Sequence, residues 1–115
     1  MQHGSAMSSS RSLPLEVMRC ETFWERTRGM LLRPRLRADQ ALLIEPCGSI
    51  HMIGMRYAID VVFVDRTGRV IKVCPNVPPF GFAAARRAHA AWELLAGTCD
   101  HLDICAGQQL TFVTR

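Results

Sequence analysis

The stretch IDVVFVDRTGRVIKVC, residues 59–74, decides the fold. Its apolar residues occupy both parities: Ile59, Val61 and Phe63 fall on one face, Val62 and Val64 on the other. That pattern predicts a central strand covered on both sides. Asp65-Arg66-Thr67-Gly68 reads as a turn, with Asp65 placed to bond its own backbone and Gly68 free to take positive φ. Residues 69–74 return antiparallel, so the stretch is a β-hairpin.

Upstream, LPLEVMRC (13–20) alternates, with Leu13, Leu15 and Val17 on one face, and predicts a first strand. Thr22 and Glu25 have the spacing of a capping box for a helix over about 23–31, which Pro34 prevents from continuing. ALLIEP (41–46) predicts a buried strand, and CGSIHMIGMRYA (47–58) leads into the hairpin. Downstream, the three prolines of PNVPPFG (75–81) predict an irregular loop. AHAAWELLAG (88–97) has the composition of a helix and a length that also allows a strand. QLTFVT (109–114) predicts a last strand. Four to six strands with one or two short helices make a mainly-β, α+β domain, a small antiparallel sheet with helices packed on it.

The 115 residues fit one domain, 49% hydrophobic and 21% charged. The opening MQHGSAM-SSS predicts a disordered tail or cloning scar over 1–12, with Met7 as an alternative start and 13–115 as the globular unit. No run is long and apolar enough for a membrane-spanning helix, and no charged-then-apolar leader precedes the domain. A soluble, cytoplasmic monomer is the expectation. The five cysteines are odd in number and lack CxxC spacing, which predicts reduced, mostly buried thiols. Net charge is +4, and thirteen of the fourteen basic residues are arginines, five of them in RTRGMLLRPRLR (26–37). Leucines interleave there without aromatic residues, so nucleic acid is not the expected partner.

Three blocks carry a family resemblance. Glu25-Arg26-Thr27-Arg28-Gly29-Met30-Leu31-Leu32-Arg33 resembles an arginine-flanked first block. Ser49-Ile50-His51, Met55 through Asp65, and Gly68-Arg69-Val70 resemble the central block. Trp92-Glu93-Leu94, Ala96-Gly97-Thr98 and Gly107 resemble the third. Together, across about 15–113, they resemble domain of unknown function 192, the uncharacterised ACR proteins. The resemblance implies a compact β-barrel or sandwich with 90–95 as a strand, and it implies no reaction. Ala58 stands where many members have Pro, and Gln108 where they have an acidic residue.

The conspicuous polar residues are His51, Arg56, Asp60 and Glu93, the candidate ligand-binding set. Cys47 and His51 sit four apart, but extended chain would separate them by roughly 13 Å, so a nucleophile–base pair needs a sharp turn at Gly48. His51, among apolar neighbours, reads as a core or rim histidine or as a ligand contact. Asp60 shares the parity of Val62 and Val64, so a carboxylate enters an apolar face and must be paired or protonated. Arg56 has the same parity and is the expected partner. Glu93 would add a second carboxylate if it faced Asp60. Cys99-Asp100-His101 offers only a loose C-x-H, so no metal and no cofactor are expected. The leading functional expectation is a non-enzymatic binding or accessory module for a small polar ligand or a protein partner. Phe80 and Phe82 in the proline-rich segment would cover a pocket, meet a partner or simply connect. The alternatives are a small acid–base or hydrolytic enzyme using Asp60, Glu93 and His51, and a structural domain without a pocket.

Overall fold

The computed structural model describes residues 1–22 and 34–115. Among these, the strands are β1 (Gln2–Ser8), β2 (Arg11–Arg19), β3 (Gln40–Ile44), β4 (Ser49–His51), β5 (Ile59–Val64), β6 (Val70–Val77), β7 (Phe82–Ala84), β8 (Ala90–Leu95) and β9 (Leu110–Thr114). One short helix, α1 (Thr98–His101), follows β8. The capping box and helix expected over 22–31 fall largely on residues 23–33, outside the described residues.

Seven strands form one curled sheet in the order β6-β5-β8-β3-β2-β1-β9, and β4 pairs with β7 in a separate ribbon. All pairings are antiparallel except β2 with β3. The curl brings the two edges together at one end. There the Val70 N–H donates to Gln108 O at 2.8 Å, and the Leu110 N–H to Gly68 O at 2.9 Å. The result is a mainly-β half-barrel whose two edges meet at the β5–β6 turn.

The hairpin forms as the sequence predicts. Asp65 Oδ1 accepts from Thr67 N at 2.9 Å, Thr67 Oγ1 at 2.7 Å and Arg69 N at 3.1 Å, and Gly68 takes φ 88°. These bonds, the Thr67 hydroxyl first, hold the Asp65 carboxyl below its usual range. All six residues of β5 are buried. Val62 and Val64 enter a core with Leu13, Leu15, Val17, Trp92 and Leu110, drawn from both edges of the sheet and so inside the half-barrel. Ile59, Val61 and Phe63 enter a second core with Leu42, Ile44, Ile50, Met52 and Ala83, between the sheet and the β4–β7 ribbon.

Several expectations are corrected. Residues 1–12 are no disordered tail: β1 is sandwiched between β2 and β9, and β2 begins at Arg11. Its backbone pairing holds it although it offers few apolar side chains. Among the described residues nine strands replace four to six. The centre of the seven-stranded sheet is β3, while β5 lies one strand from the edge. Chain 75–81 is not all loop, since β6 runs through Pro75 to Val77. Proline is admitted there because β6 is an edge strand and its register slips between Ile59↔Val77 and Val61↔Cys74, setting Pro75 and Asn76 against Asp60 as a bulge. Residues 90–95 are a strand, as the family resemblance implies.

Candidate functional site

Asp60 is 1% exposed and points into the half-barrel. Its Oδ1 accepts the Asn76 N–H at 2.8 Å, and its Oδ2 accepts those of Gly97 at 3.1 Å and Cys99 at 3.0 Å. The bulge frees the Asn76 amide from the ladder, and the positive φ of Asn76 (53°) and Gly97 (94°) turns both segments toward the carboxylate. Burial, followed by the charge and hydrogen bond of Asp60, pushes the Cys99 thiol up to about 12. Asp60 therefore clasps β6 to the start of α1. The expected Arg56–Asp60 pair does not form: β5 begins only at Ile59, so strand parity does not reach Arg56, which is exposed in the preceding loop.

Glu93 is also buried, at 4%, but on the other side of the sheet. Cross-strand partners share a face; Glu93 stands opposite Leu42 and Val61, whereas Asp60 stands opposite Leu94. The two carboxylates thus lie on opposite faces and cannot work on one reacting atom. Cys47, half-buried, donates its S–H to Ser49 O at 3.2 Å. Burial, and more weakly the charge of Glu93, pushes its thiol upward, the reverse of what a nucleophile needs. The chain at 49–51 is extended and Cys47 makes no pair with His51.

His51 lies on the outside of the β4–β7 ribbon, where Ser49, Ile50 and His51 pair with Ala84, Ala83 and Phe82. Ile50 and Ala83 pack inward, which leaves His51 and Phe82 facing solvent. The ribbon ends in two turns. Met52 O accepts the Met55 N–H at 3.2 Å and the Phe80 N–H at 3.0 Å, and Gly81 N donates to Pro78 O at 2.9 Å. These turns hold Ile53 at 63% exposure and Phe80 at 77%, with Phe82 beside them at 68%.

A cavity of about 220 Å³, which sequence reasoning missed, opens at the end of the half-barrel where β5 turns into β6. Leu43, Val64, Trp92 and Leu110 line its apolar part, and Arg19, Glu45, the 65–68 turn and Phe112 its rim. Arg19 Nη2 donates to Glu45 Oε1 at 2.7 Å, and His89 Nε2 stands 3.6 Å from Glu45 Oε2. The Arg19 guanidinium lies over the Phe112 ring, 5.8 Å from its centroid. The lining residues come from five separate strands, β2, β3, β5, β8 and β9, and only the register brings them together. Among the described residues no group of three or more His, Cys, Asp or Glu side chains is arranged to hold a metal ion, and no helix is long and apolar enough to cross a membrane.

A single mainly-β domain with an internal clasp, a mouth cavity and an exposed ribbon is what the geometry defines. The chain belongs to the uncharacterised ACR family, domain of unknown function 192, whose family model matches residues 5–112 and so begins inside β1. Two solved structures share the fold. One is a "putative transcription regulator" from Sinorhizobium meliloti 1021, with a TM-score of 0.85 and 19% identity over 97% of this chain and 94% of that one. The other is a protein of unknown function from Novosphingobium aromaticivorans DSM 12444, with a TM-score of 0.81 and 20% identity over 96% of this chain and 86% of that one. Comparison with curated proteins finds no match.

Proposed function

We propose that the domain is a non-enzymatic binding module whose mouth cavity takes a small ligand with a flat apolar body and one carboxylate. The observation that carries this is the state of Arg19. One of its nitrogens is engaged by Glu45, and its other donors meet no protein acceptor among the described residues, although they line a cavity. A guanidinium fork matches a planar carboxylate, and its stacking on Phe112 fixes its plane. Glu45 does not oppose such a ligand strongly, because its Oε1 is already paired with the Arg19 guanidinium at 2.7 Å. Trp92 and Phe112 supply the apolar walls that orient a flat body. At about 220 Å³ the space suits a small metabolite. The acid–base alternative finds less support, because Asp60 points inward, Glu93 lies beneath the ribbon and His51 faces solvent.

Sodium phenylacetate and its uncharged analogue 2-phenylethanol test the reading. Amide shifts in ¹H–¹⁵N spectra and Trp92 fluorescence in a Trp24→Phe background report binding. Phenylacetate is expected to move Arg19, Glu45, Asp65–Gly68 and Phe112, and Arg19→Gln to weaken it by about ten-fold or more, the worth of one charge-assisted bond. Equal binding of the alcohol, or indifference to Arg19→Gln, overturns the proposal.

A further inference from the structure

The β4–β7 ribbon carries a second, independent feature. Three of the four exposed large hydrophobic residues among those described, Ile53, Phe80 and Phe82, stand together on its tip. Exposed apolar side chains are ordinary when scattered and informative when clustered. The backbone adds to this. In the turn closed by Gly81 N–H to Pro78 O, Phe80 occupies the third position with φ 64°, a place where glycine or asparagine is the usual residue. A bulky side chain in the left-handed region, turned to solvent, serves neither the core nor the turn.

Charge is equally one-sided. Residues 46–59 and 66–92 contain no Asp or Glu at all. His51 and Arg56 are exposed at the apolar end of the ribbon, and Arg86 and Arg87 are exposed at its other end. Lys72 reaches across from β6 to Ala84 O at 2.8 Å. An apolar tip with His51 and Arg56 beside it and two further arginines at the far end of the same ribbon, in segments without Asp or Glu, is complementary to an anionic surface that has an apolar layer just beneath.

We propose that the ribbon docks this domain onto an anionic lipid surface, Ile53, Phe80 and Phe82 entering the headgroup boundary and Arg56, Arg86 and Arg87 meeting the negative headgroups. Two observations favour lipid over macromolecules. Three side chains on two turn tips fall well short of the ~800 Å² per partner of a standard protein interface, whereas a lipid surface needs no complementary shape. Side chains that protrude, instead of lining a basic groove, do not track a nucleic-acid strand. Neither the cavity nor its ligand enters this inference.

Co-sedimentation with vesicles tests it, using phosphatidylcholine alone and phosphatidylcholine mixed equally with phosphatidylserine. Binding is expected only to the mixed vesicles and to fall as salt rises. Each of Arg56→Gln, Arg86→Gln and Arg87→Gln should weaken it about five-fold. The double variant Phe80→Gly with Phe82→Ser, checked for an unchanged fold by its melting temperature, should lose it by more than ten-fold. Absence of binding to the mixed vesicles overturns the proposal, and so does full retention in the double variant. Tighter binding of a single-stranded oligonucleotide that displaces the vesicles, and that the same arginine variants abolish, overturns it in favour of nucleic acid.

Discussion

Asp60 and the tip of the β4–β7 ribbon reverse the usual rule of what a protein hides. At Asp60 a carboxylate is buried to 1% inside an apolar core, and at the tip a phenylalanine stands 77% exposed on a left-handed backbone. The first reversal is fully compensated: three backbone N–H groups and a thiol surround the charge. Among the described residues nothing compensates the second. A buried charge with every lone pair engaged is a structural device. An exposed apolar side chain held at a conformational cost is one that the fold does not require. This contrast supports a structural role for the carboxylate and the proposed docking role for the phenylalanine.

Removing the clasp is the largest way to break that comparison. Asp60→Ala leaves three backbone donors without an acceptor and is expected to cost about 4 kcal/mol. In a domain of this size that is a fall of roughly 15 °C in melting temperature. A loss below about 1 kcal/mol would remove Asp60 from the structural side of the contrast. The thiol beside it sharpens the point through pH. Cys99 is held protonated up to about 12 when folded, whereas an unfolded thiol ionises near 8.5. Its folded value is the raised one, so its contribution is fully present below the unfolded value and is lost as pH climbs toward 12. Stability should thus decline over that alkaline window, and Cys99→Ala should flatten the decline when both proteins are melted across it. In the same range Cys105, which is exposed, should alkylate well before Cys99.

How far the sequence could be read follows the same division. Strand parity depends only on side chains, and it correctly assigned Ile59, Val61 and Phe63 to one face of β5 and Val62 and Val64 to the other. It also sent Asp60 into the apolar interior. The partners of Asp60 were illegible, because backbone N–H groups leave no mark in composition and the bulge that frees Asn76 is a property of register. Arg56 was the obvious candidate only if the strand began early enough for its parity to count. Register likewise decides that Glu93 stands opposite Val61 and not opposite Asp60. β1 is not legible in the sequence, because its few apolar residues give it the composition of a tail. Gly4 in that strand is nevertheless required, since a Cβ there would lie 2.6 Å from the Phe112 ring. The strand at 90–95 came from the family resemblance, against a composition that suits a helix.

Closure of the half-barrel offers an intermediate test. Gly68 takes φ 88°, and a Cβ on it would lie 2.9 Å from Leu110 O, the backbone of the strand it closes onto. Gly68→Ala combines a left-handed alanine with a clash against backbone that cannot swing aside, a loss of about 2 kcal/mol. Because the cavity rim includes this turn, phenylacetate binding should weaken along with stability. A stable variant with intact binding would separate the turn from the mouth.

The smallest effect is the most diagnostic, because its sign sets the two regions apart. Phe80→Gly and Phe80→Ala both delete the exposed ring, yet only glycine relieves the φ of 64°. The glycine variant should be the more stable of the two by about 1 kcal/mol, and at least as stable as the parent, because the ring contributes little to a core it barely touches. Chemical denaturation of the three proteins with a common slope measures this directly. A glycine variant clearly less stable than the parent would mean that Phe80 packs against the fold after all, and the ribbon tip would join Asp60 among the structural devices. A stabilised glycine variant that no longer sediments with anionic vesicles would show a residue kept in place against the interest of the fold, as recognition residues are.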